Sequence, residues 1–282
     1  MMRPRHLLLA LWLLGAPQPV AAEPVATPGQ YLRLVEEPPG HAHLDTAIVR
    51  YGRGPVQVDL VAAIHIADLR YFRQLQQRLR RYERVLFELI AADGQSYALT
   101  GVRGTSQLSA LQLWLRDKLG LAFQLEEIDY RQRNFVHADL SPDALLAHLR
   151  GHWTDTLGML LRWMLRDAAR STNADGSLRF GELARLATER GEAGRHRALK
   201  RALARELAEM GDLTVATAGS DALIARRNEA ALAALDREVA RGARRLGIFY
   251  GGAHMPDLAR RLEARGFRQR RVSWLVAWQL DD

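Results

Sequence analysis

Two histidines occupy the same local pattern at distant points of the chain. His65 lies in "AAIHIADL" after the apolar run "VQVDLV", and His254 lies in "GGAHMPDL" after "RLGIFY". In each copy, small residues follow a strand-like run and an Asp-Leu pair precedes a helix-like segment. A histidine in the turn after a parallel strand stands at the carboxyl edge of the sheet, where open α/β folds bind ligands. We therefore expect His65 and His254 to share one cleft.

A carboxylate accompanies the first histidine. Glu88 lies in the apolar run "RVLFELI", so its charge must be paired, bound to a metal or placed at the end of the strand. Two histidines and one carboxylate can hold a divalent metal and leave a position for water, whose pKa the metal lowers toward neutrality. His65, Glu88 and His254 are thus predicted ligands of zinc, manganese or cobalt in a hydrolase of peptides or small esters.

Two other interpretations of these residues stay open. Glu88 could form a salt bridge with one of the many arginines and have no catalytic role. Alternatively, a histidine partnered by Glu88 could act as general base without a metal.

A loop-like stretch, "IDYRQRNFVHADLS", offers a third histidine. His137 lies there among polar and aromatic residues of the kind that touch substrate beside a sheet edge, so it is a further candidate for the site. A helix cap or a buried turn would need the same residue types.

The segment "STNADGSLRFGE" resembles a calcium loop, but Ser171 replaces the first aspartate and a turn between helices is favoured.

Short apolar runs alternate with helical periodicity at both ends of the chain. Five runs read as strands, with "FQLEEIDY" a weaker candidate: "DTAIVRYG", "VQVDLVAAI", "RVLFELI", "RRLGIFYGG" and "RVSWLVAWQL". Helical spacing covers residues 69–82, 111–119, 145–169, 196–210, 221–240 and 258–265. We predict an α/β fold with a central mixed, largely parallel sheet, flanking helices and a helical insertion or cap over about 141–243.

The two histidine segments also align as one duplicated unit of strand, histidine, helix and strand. Gly251 and Gly252 are expected to allow unusual dihedral angles and close backbone approach. Asp68 and Asp257 are expected to cap the helices that follow.

The chain of 282 residues has a basic and then apolar start. Residues 1–22, "MMRPRHLLLALWLLGAPQPVAA", are typical of a secretory signal, so we expect residues 23–282 to form the mature domain, periplasmic or secreted, without stable membrane insertion. The chain has no cysteine, which excludes disulfides and thiolate metal sites. Its formal net charge of +8 comes from arginines interleaved with acidic residues, so we do not expect nucleic-acid binding.

These motifs together resemble the TraB/GumN family, which includes PrgY and TIKI proteins. The features that carry the resemblance are "GGAH", the Glu88 of "LFEL", and the pair Arg227 and Asn228 in "IARRNEAAL"; the first histidine motif, "AAIH", departs by having Ala62 in place of glycine. The resemblance implies the fold of erythromycin-esterase-like and ChaN-like proteins and a metalloprotease-like activity. It also implies that Arg227 stabilises an oxyanion or orients Glu88. Peptide or haem sequestration without turnover is the alternative that it leaves open.

Overall fold

The computed structural model describes residues 30–37, 41–89, 119–141, 192–212 and 218–281. Several predictions from the sequence fall outside these residues and keep that status. They are the signal at 1–22, the helices at 111–119 (apart from Leu119) and 145–169, and the turn at 171–182.

Nine strands and five α-helices make up the described part of the chain. In order they are β1 (Leu32–Glu37), β2 (His41–Arg53), β3 (Val56–Ala63), β4 (Ile66–Asp68), α1 (Leu69–Leu79), β5 (Arg84–Phe87), β6 (Leu121–Phe123), α2 (Gln124–Glu127), β7 (Phe135–His137), α3 (Glu192–Asp212), α4 (Ala218–Ala240), β8 (Arg245–Gly251), α5 (Met255–Ala264) and β9 (Arg268–Gln279). A single 3₁₀ turn, Gly252–His254, joins β8 to α5.

Seven of these strands form one mixed sheet. β3, β8, β5 and β7 are parallel neighbours in that order. β2 runs antiparallel to β1, β3 and β9. Thr46 of β2 pairs with both Leu32 and Leu275, and Ile48 pairs with both Val61 and Ser273. β1 and β3 therefore share one edge of β2, β9 takes the other, and β2 is the one described strand of this sheet that opposes the rest.

Helices cover both faces of the sheet. α1 and α3 pack on the face that carries Val61, Ala63 and Phe249, whereas α4 and α5 pack on the face that carries Leu60, Ala62 and Tyr250. Successive residues of β3 thus point alternately into two apolar cores. Strands buried on both faces explain the near-continuous apolar runs of β3 and β8 in the sequence.

The predicted α/β fold with a mixed, largely parallel sheet and flanking helices is confirmed. The described part of the predicted 141–243 insertion forms α3 and α4, which lie on opposite faces of the sheet. The prediction of a strand over "FQLEEIDY" is wrong, because only Phe123 belongs to a strand and Gln124–Glu127 form a helical turn. Within the described ranges, none of the helices combines the length and apolar character that a membrane span requires.

Candidate functional site

Strand order brings the two histidine segments to the same edge of the sheet. β3 and β8 are parallel neighbours, with Ala63 opposite Gly251, and β5 flanks β8 on its other side. The chain leaves β3 just before His65, β5 just before Glu88, and β8 just before the turn that carries His254. All three side chains therefore lie at the carboxyl ends of adjacent parallel strands.

Glu88 is the centre of the cluster. One carboxylate oxygen, Oε2, accepts a hydrogen bond of 2.6 Å from the backbone N–H of Gly251. The other, Oε1, lies 2.7 Å from Nη2 of Arg227 and 3.5 Å from Nε2 of His254. The carboxylate is thus held from three directions, with 12% of its side chain exposed.

These contacts keep Glu88 ionised. Burial would raise the pKa of Glu88, but His254, the Arg227 guanidinium and the Gly251 N–H together lower it to about 2. Glu88 therefore carries a full negative charge at neutral pH despite its burial. It is a hydrogen-bond acceptor and an electrostatic partner, not a proton donor.

His254 is a buried, fixed ring. Asn228 uses its amide nitrogen to donate to His254 O (3.3 Å) and to the Asp257 carboxylate (2.8 Å), so its amide oxygen faces the ring. That oxygen lies 2.7 Å from Nδ1 of His254, and because an amide oxygen only accepts, the ring donates from Nδ1. Nε2 is consequently directed at Glu88. The ring of Tyr250 packs edge-on against the imidazole, with centroids 5.2 Å apart.

Arg227 of α4 ties two carboxylates together. Its Nε and Nη2 bind Asp139 at 2.9 and 2.6 Å, Nη2 also reaches Glu88, and Nη1 lies 3.4 Å from Nε2 of His254. Burial would lower the pKa of Arg227, but the hydrogen bond to Asp139 and the charges of Glu88 and Asp139 raise it above its usual range. The guanidinium is therefore permanently charged. Asp139, whose side chain is fully buried, depends on it for compensation.

His65 is the exposed member of the cluster. A Cβ placed on Gly251 would lie 3.9 Å from Nε2 of His65 and 3.3 Å from Oε2 of Glu88. Both groups therefore border the same small space above Gly251. The backbone of His65 is fixed by a hydrogen bond from the Gln124 N–H to its carbonyl, at 2.9 Å.

The position of Arg227 disfavours a divalent metal between Glu88 and His254. The two carboxylates of the cluster outnumber the single guanidinium, and the excess negative charge would favour another cation. However, Arg227 already contacts Glu88 and His254 where a shared ion would have to lie, and a guanidinium repels a cation placed there. Across the described ranges, no three His, Asp or Glu side chains are grouped to hold an ion. The metal ligation predicted for His65, Glu88 and His254 stays a prediction.

His137 lies at the end of β7, next to β5. Its ring packs against Phe87, with centroids 5.8 Å apart, and its Nε2 lies 2.5 Å from the carbonyl oxygen of Leu89. Its predicted contribution to catalysis stays a prediction.

Three residues of the site escaped prediction from the sequence. Asp139 was part of the polar loop with no assigned partner, and Asn228 was only half of the Arg-Asn pair. Tyr250 looked like one more apolar residue of β8, yet its hydroxyl donates to the carbonyl of Ala138. Burial and the charges of Asp139 and Glu88 raise the pKa of Tyr250 above its usual range, so it stays a neutral donor.

The two aspartates lie at the expected helix starts but make no capping hydrogen bonds. Asp68 occupies the cap position of α1 but makes no capping bond; it binds Lys200 (2.7 Å) and the Gln279 N–H (2.6 Å) instead. Asp257 lies inside the first turn of α5 and binds Asn228 and Arg261. Each carboxylate thus links its histidine unit to another segment, Asp68 to Lys200 and Gln279, and Asp257 to Asn228.

The expectation of unusual backbone angles at Gly251 is also wrong. Its φ is −57°, which any residue can adopt. The absence of a side chain matters for space, because a Cβ there would press on Glu88 at 3.3 Å. Gly252 similarly leaves room for Leu32, whose Cδ1 would lie 3.2 Å from an added Cβ.

Comparison of the chain with protein-family models, curated proteins and solved structures gives no match. The resemblance to the TraB/GumN family stays a prediction from the motifs.

Proposed function

We propose that the chain is a hydrolase of peptide or small-ester bonds whose active site comprises His65, Glu88, Arg227 and His254. The observation that supports this most directly is the pairing of a buried, ionised carboxylate with an exposed imidazole around one small space. A carboxylate with a strongly shifted pKa beside a histidine at the carboxyl edge of a sheet is a combination typical of active sites.

In the proposed reaction, His65 is the general base. Nε2 takes a proton from a water molecule as its oxygen attacks the substrate carbonyl carbon, and Glu88 accepts a hydrogen bond that orients this water. The bond to the leaving oxygen or nitrogen then breaks, and the proton passes from His65 to that atom. Glu88 also stabilises the transient imidazolium by its charge.

Arg227 and His254 complete the proposed site in different ways. Arg227 is assigned to stabilise negative charge on the carbonyl oxygen, because its guanidinium is a permanent cation next to Glu88 and His254. His254 is a positioning residue in this scheme, since its Asn228-bound ring fixes the orientation of Glu88.

The test is hydrolysis of a labelled peptide library and a series of p-nitrophenyl esters by the wild-type protein and by His65→Ala. We expect a cleaved substrate in at least one series and a loss of kcat/KM on the order of 100-fold or more in the variant. Arg226→Ala is the control and should keep wild-type activity, because Arg226 is exposed and is not one of the four residues of the proposed site. Equal activity of wild type and His65→Ala would contradict the proposal. Peptide binding without product would support sequestration instead.

The metal-dependent form of the reaction is tested separately. Elemental analysis of the purified protein and activity after chelation distinguish the two forms. The arrangement of Arg227 leads us to expect substoichiometric metal and activity that survives chelation. A tightly bound ion, with activity lost on chelation and restored by zinc, manganese or cobalt, would establish the metal-dependent hydrolase instead.

A further inference from the structure

A polar cavity lies at the opposite end of the sheet from His65, Glu88 and His254. It has a volume of about 810 Å³ and is bordered by the face of the sheet that α1 covers and by the C-terminal half of α1. We call it the arginine groove. Its polar lining comprises Arg50, Gln57, Asp59, Gln74, Gln77, Arg78, Arg81, Tyr82, Arg245, Arg271 and Ser273.

The lining is strongly basic. Five arginines face a single lining carboxylate, Asp59, and that carboxylate is already occupied. Arg50 donates two hydrogen bonds to Asp59, at 2.8 and 2.9 Å, and the Tyr82 hydroxyl donates a third at 2.8 Å. At the rim, Arg245 lies 3.3 Å from the Glu83 carboxylate.

Three guanidinium groups lack such compensation. Arg78, Arg81 and Arg271 form no ion pair with any carboxylate in the ranges that the structure describes. Arg78 is directed across the groove to Ser273, 3.4 Å away. The groove thus presents a concentrated positive charge toward solvent.

The backbone register places like charges side by side. Arg50 of β2 lies directly opposite Arg271 of β9, a pairing that destabilises a sheet when nothing neutralises it. The irregularity after this pair leaves Arg270 beside Gly52, where an added Cβ would lie 3.3 Å from its Nε. Asp59 offsets the charge of Arg50, whereas Arg271 forms no ion pair in the ranges that the structure describes, so a bound anion would reduce the repulsion between these two arginines.

We infer that the arginine groove binds a small molecule carrying two or more phosphate groups. Guanidinium groups bind phosphate oxygens in bidentate fashion, and several converging arginines favour a ligand with closely spaced negative charges. Gln57, Gln74 and Gln77 supply neutral hydrogen-bonding groups around them. The volume lies within the range of small-molecule sites.

This site is separate from the proposed hydrolase centre. The groove includes Gln57 and Arg245, which pair at the start of β3 and β8, whereas the histidine cluster follows the ends of the same strands. Loss of pyrophosphate binding and loss of hydrolase activity can therefore be measured independently, so either proposal can be wrong without the other.

The experiment is isothermal titration calorimetry of the full chain with inorganic pyrophosphate at 150 mM salt, where non-specific charge effects are screened. We expect saturable binding that is weaker for orthophosphate. Arg81→Ala and Arg271→Ala should each weaken pyrophosphate binding roughly tenfold, because each removes a charge-assisted donor. Both residues are exposed, so the fold should tolerate the changes, which thermal unfolding verifies.

Arg73→Ala is the matched control, since Arg73 is exposed on the same helix but does not line the groove. It should bind pyrophosphate as the wild type does, and so should His65→Ala. Absence of saturable binding, or equal weakening in Arg73→Ala, would overturn the inference. Displacement of pyrophosphate by a single-stranded oligonucleotide at a much lower concentration would also overturn it, in favour of a nucleic-acid surface.

Discussion

The two histidine units share a sequence pattern but differ in how the fold holds them. In the first unit, His65 is exposed and its side chain borders an open space beside Glu88. In the second, His254 is 5% exposed, and its ring is held by Asn228 and packed against Tyr250. One unit presents its imidazole to solvent, and the other buries it.

This difference indicates a division of roles between two similar segments. A group that exchanges protons with water and substrate must be accessible, whereas a group that orients a carboxylate is most effective when immobilised. The proposed assignment of His65 as base and His254 as positioning residue follows from that contrast. The predictions below test it, from the largest expected effect to the smallest.

Replacement of Arg227 should have the largest effect, because this residue connects the second unit to Glu88. Arg227→Ala leaves the buried carboxylates of Asp139 and Glu88 without their cation, and we expect the free energy of unfolding to fall by about 3–5 kcal/mol. Urea denaturation measures this. Arg226→Ala, its exposed neighbour, should change the value by less than about 0.5 kcal/mol. Similar values for the two variants would mean that the buried ion pairs do not form.

Substitution of His254 should lower both stability and activity, whereas substitution of His65 should lower activity alone. His254→Ala leaves the Asn228 amide oxygen without its donor, so we expect a loss of about 2–3 kcal/mol in stability together with reduced activity. His65→Ala should leave stability within about 0.5 kcal/mol while lowering kcat/KM on the order of 100-fold or more. Thermal unfolding and the hydrolysis assay measure the two effects. A large stability loss in His65→Ala would remove the contrast between the units.

Acidification should reveal how strongly the second unit holds Glu88. The pKa of Glu88 in the folded protein is lowered to about 2. The stability that ionised Glu88 contributes to the fold is therefore complete above the usual pKa of a glutamate and is lost as the pH falls toward 2. The stability difference between wild type and Glu88→Gln should shrink by about 3 kcal/mol between pH 6 and pH 2, since one pKa unit corresponds to about 1.4 kcal/mol. Denaturation curves at several pH values measure it. A pH-independent difference would contradict the ion-paired state of Glu88.

Substitution of Gly251 should have the smallest effect. Gly251→Ala places a methyl group 3.3 Å from Glu88 and on the side of His65, so we expect a modest loss of activity with a stability change below about 1 kcal/mol. Ala62→Gly, at the aligned position of the first unit, is the matched control and should not reduce activity. Unchanged activity in Gly251→Ala would show that the space above Gly251 is not used by substrate.

The sequence predicted the parts of the site that depend on strand order. Parallel strands end at a common edge, so His65, Glu88 and His254 were placed together from apolar runs and following turns alone. The groups that bind these three side chains and set their charge and orientation could not be predicted from strand order. Asp139 and Asn228 act through contacts across long sequence separations, and the Gly251 N–H belongs to the backbone, which carries no residue-type signal.

Local patterns also misled where tertiary contacts prevailed. Asp68 has the position and residue type of a helix cap, yet Lys200 and the Gln279 N–H bind its carboxylate. "FQLEEIDY" has apolar spacing compatible with a strand, but buried Gln124 hydrogen-bonds the His65 carbonyl and the Tyr130 hydroxyl, and a helical turn follows. In both cases hydrogen bonds formed in the folded chain, from the Asp68 side chain in one and from the backbone and side chain of Gln124 in the other, outweighed the local preference.

The position of β8 between β3 and β5 has a consequence for how the protein reaches its native state. The first unit by itself leaves a gap one strand wide between β3 and β5, and β8, which fills the gap, begins about 180 residues after β3 ends. The pairing of β8 with β3 therefore brings together residues far apart in the chain, and such non-local pairing is a feature that slows folding. A nascent chain that stops before residue 245 therefore lacks the strand that joins β3 to β5.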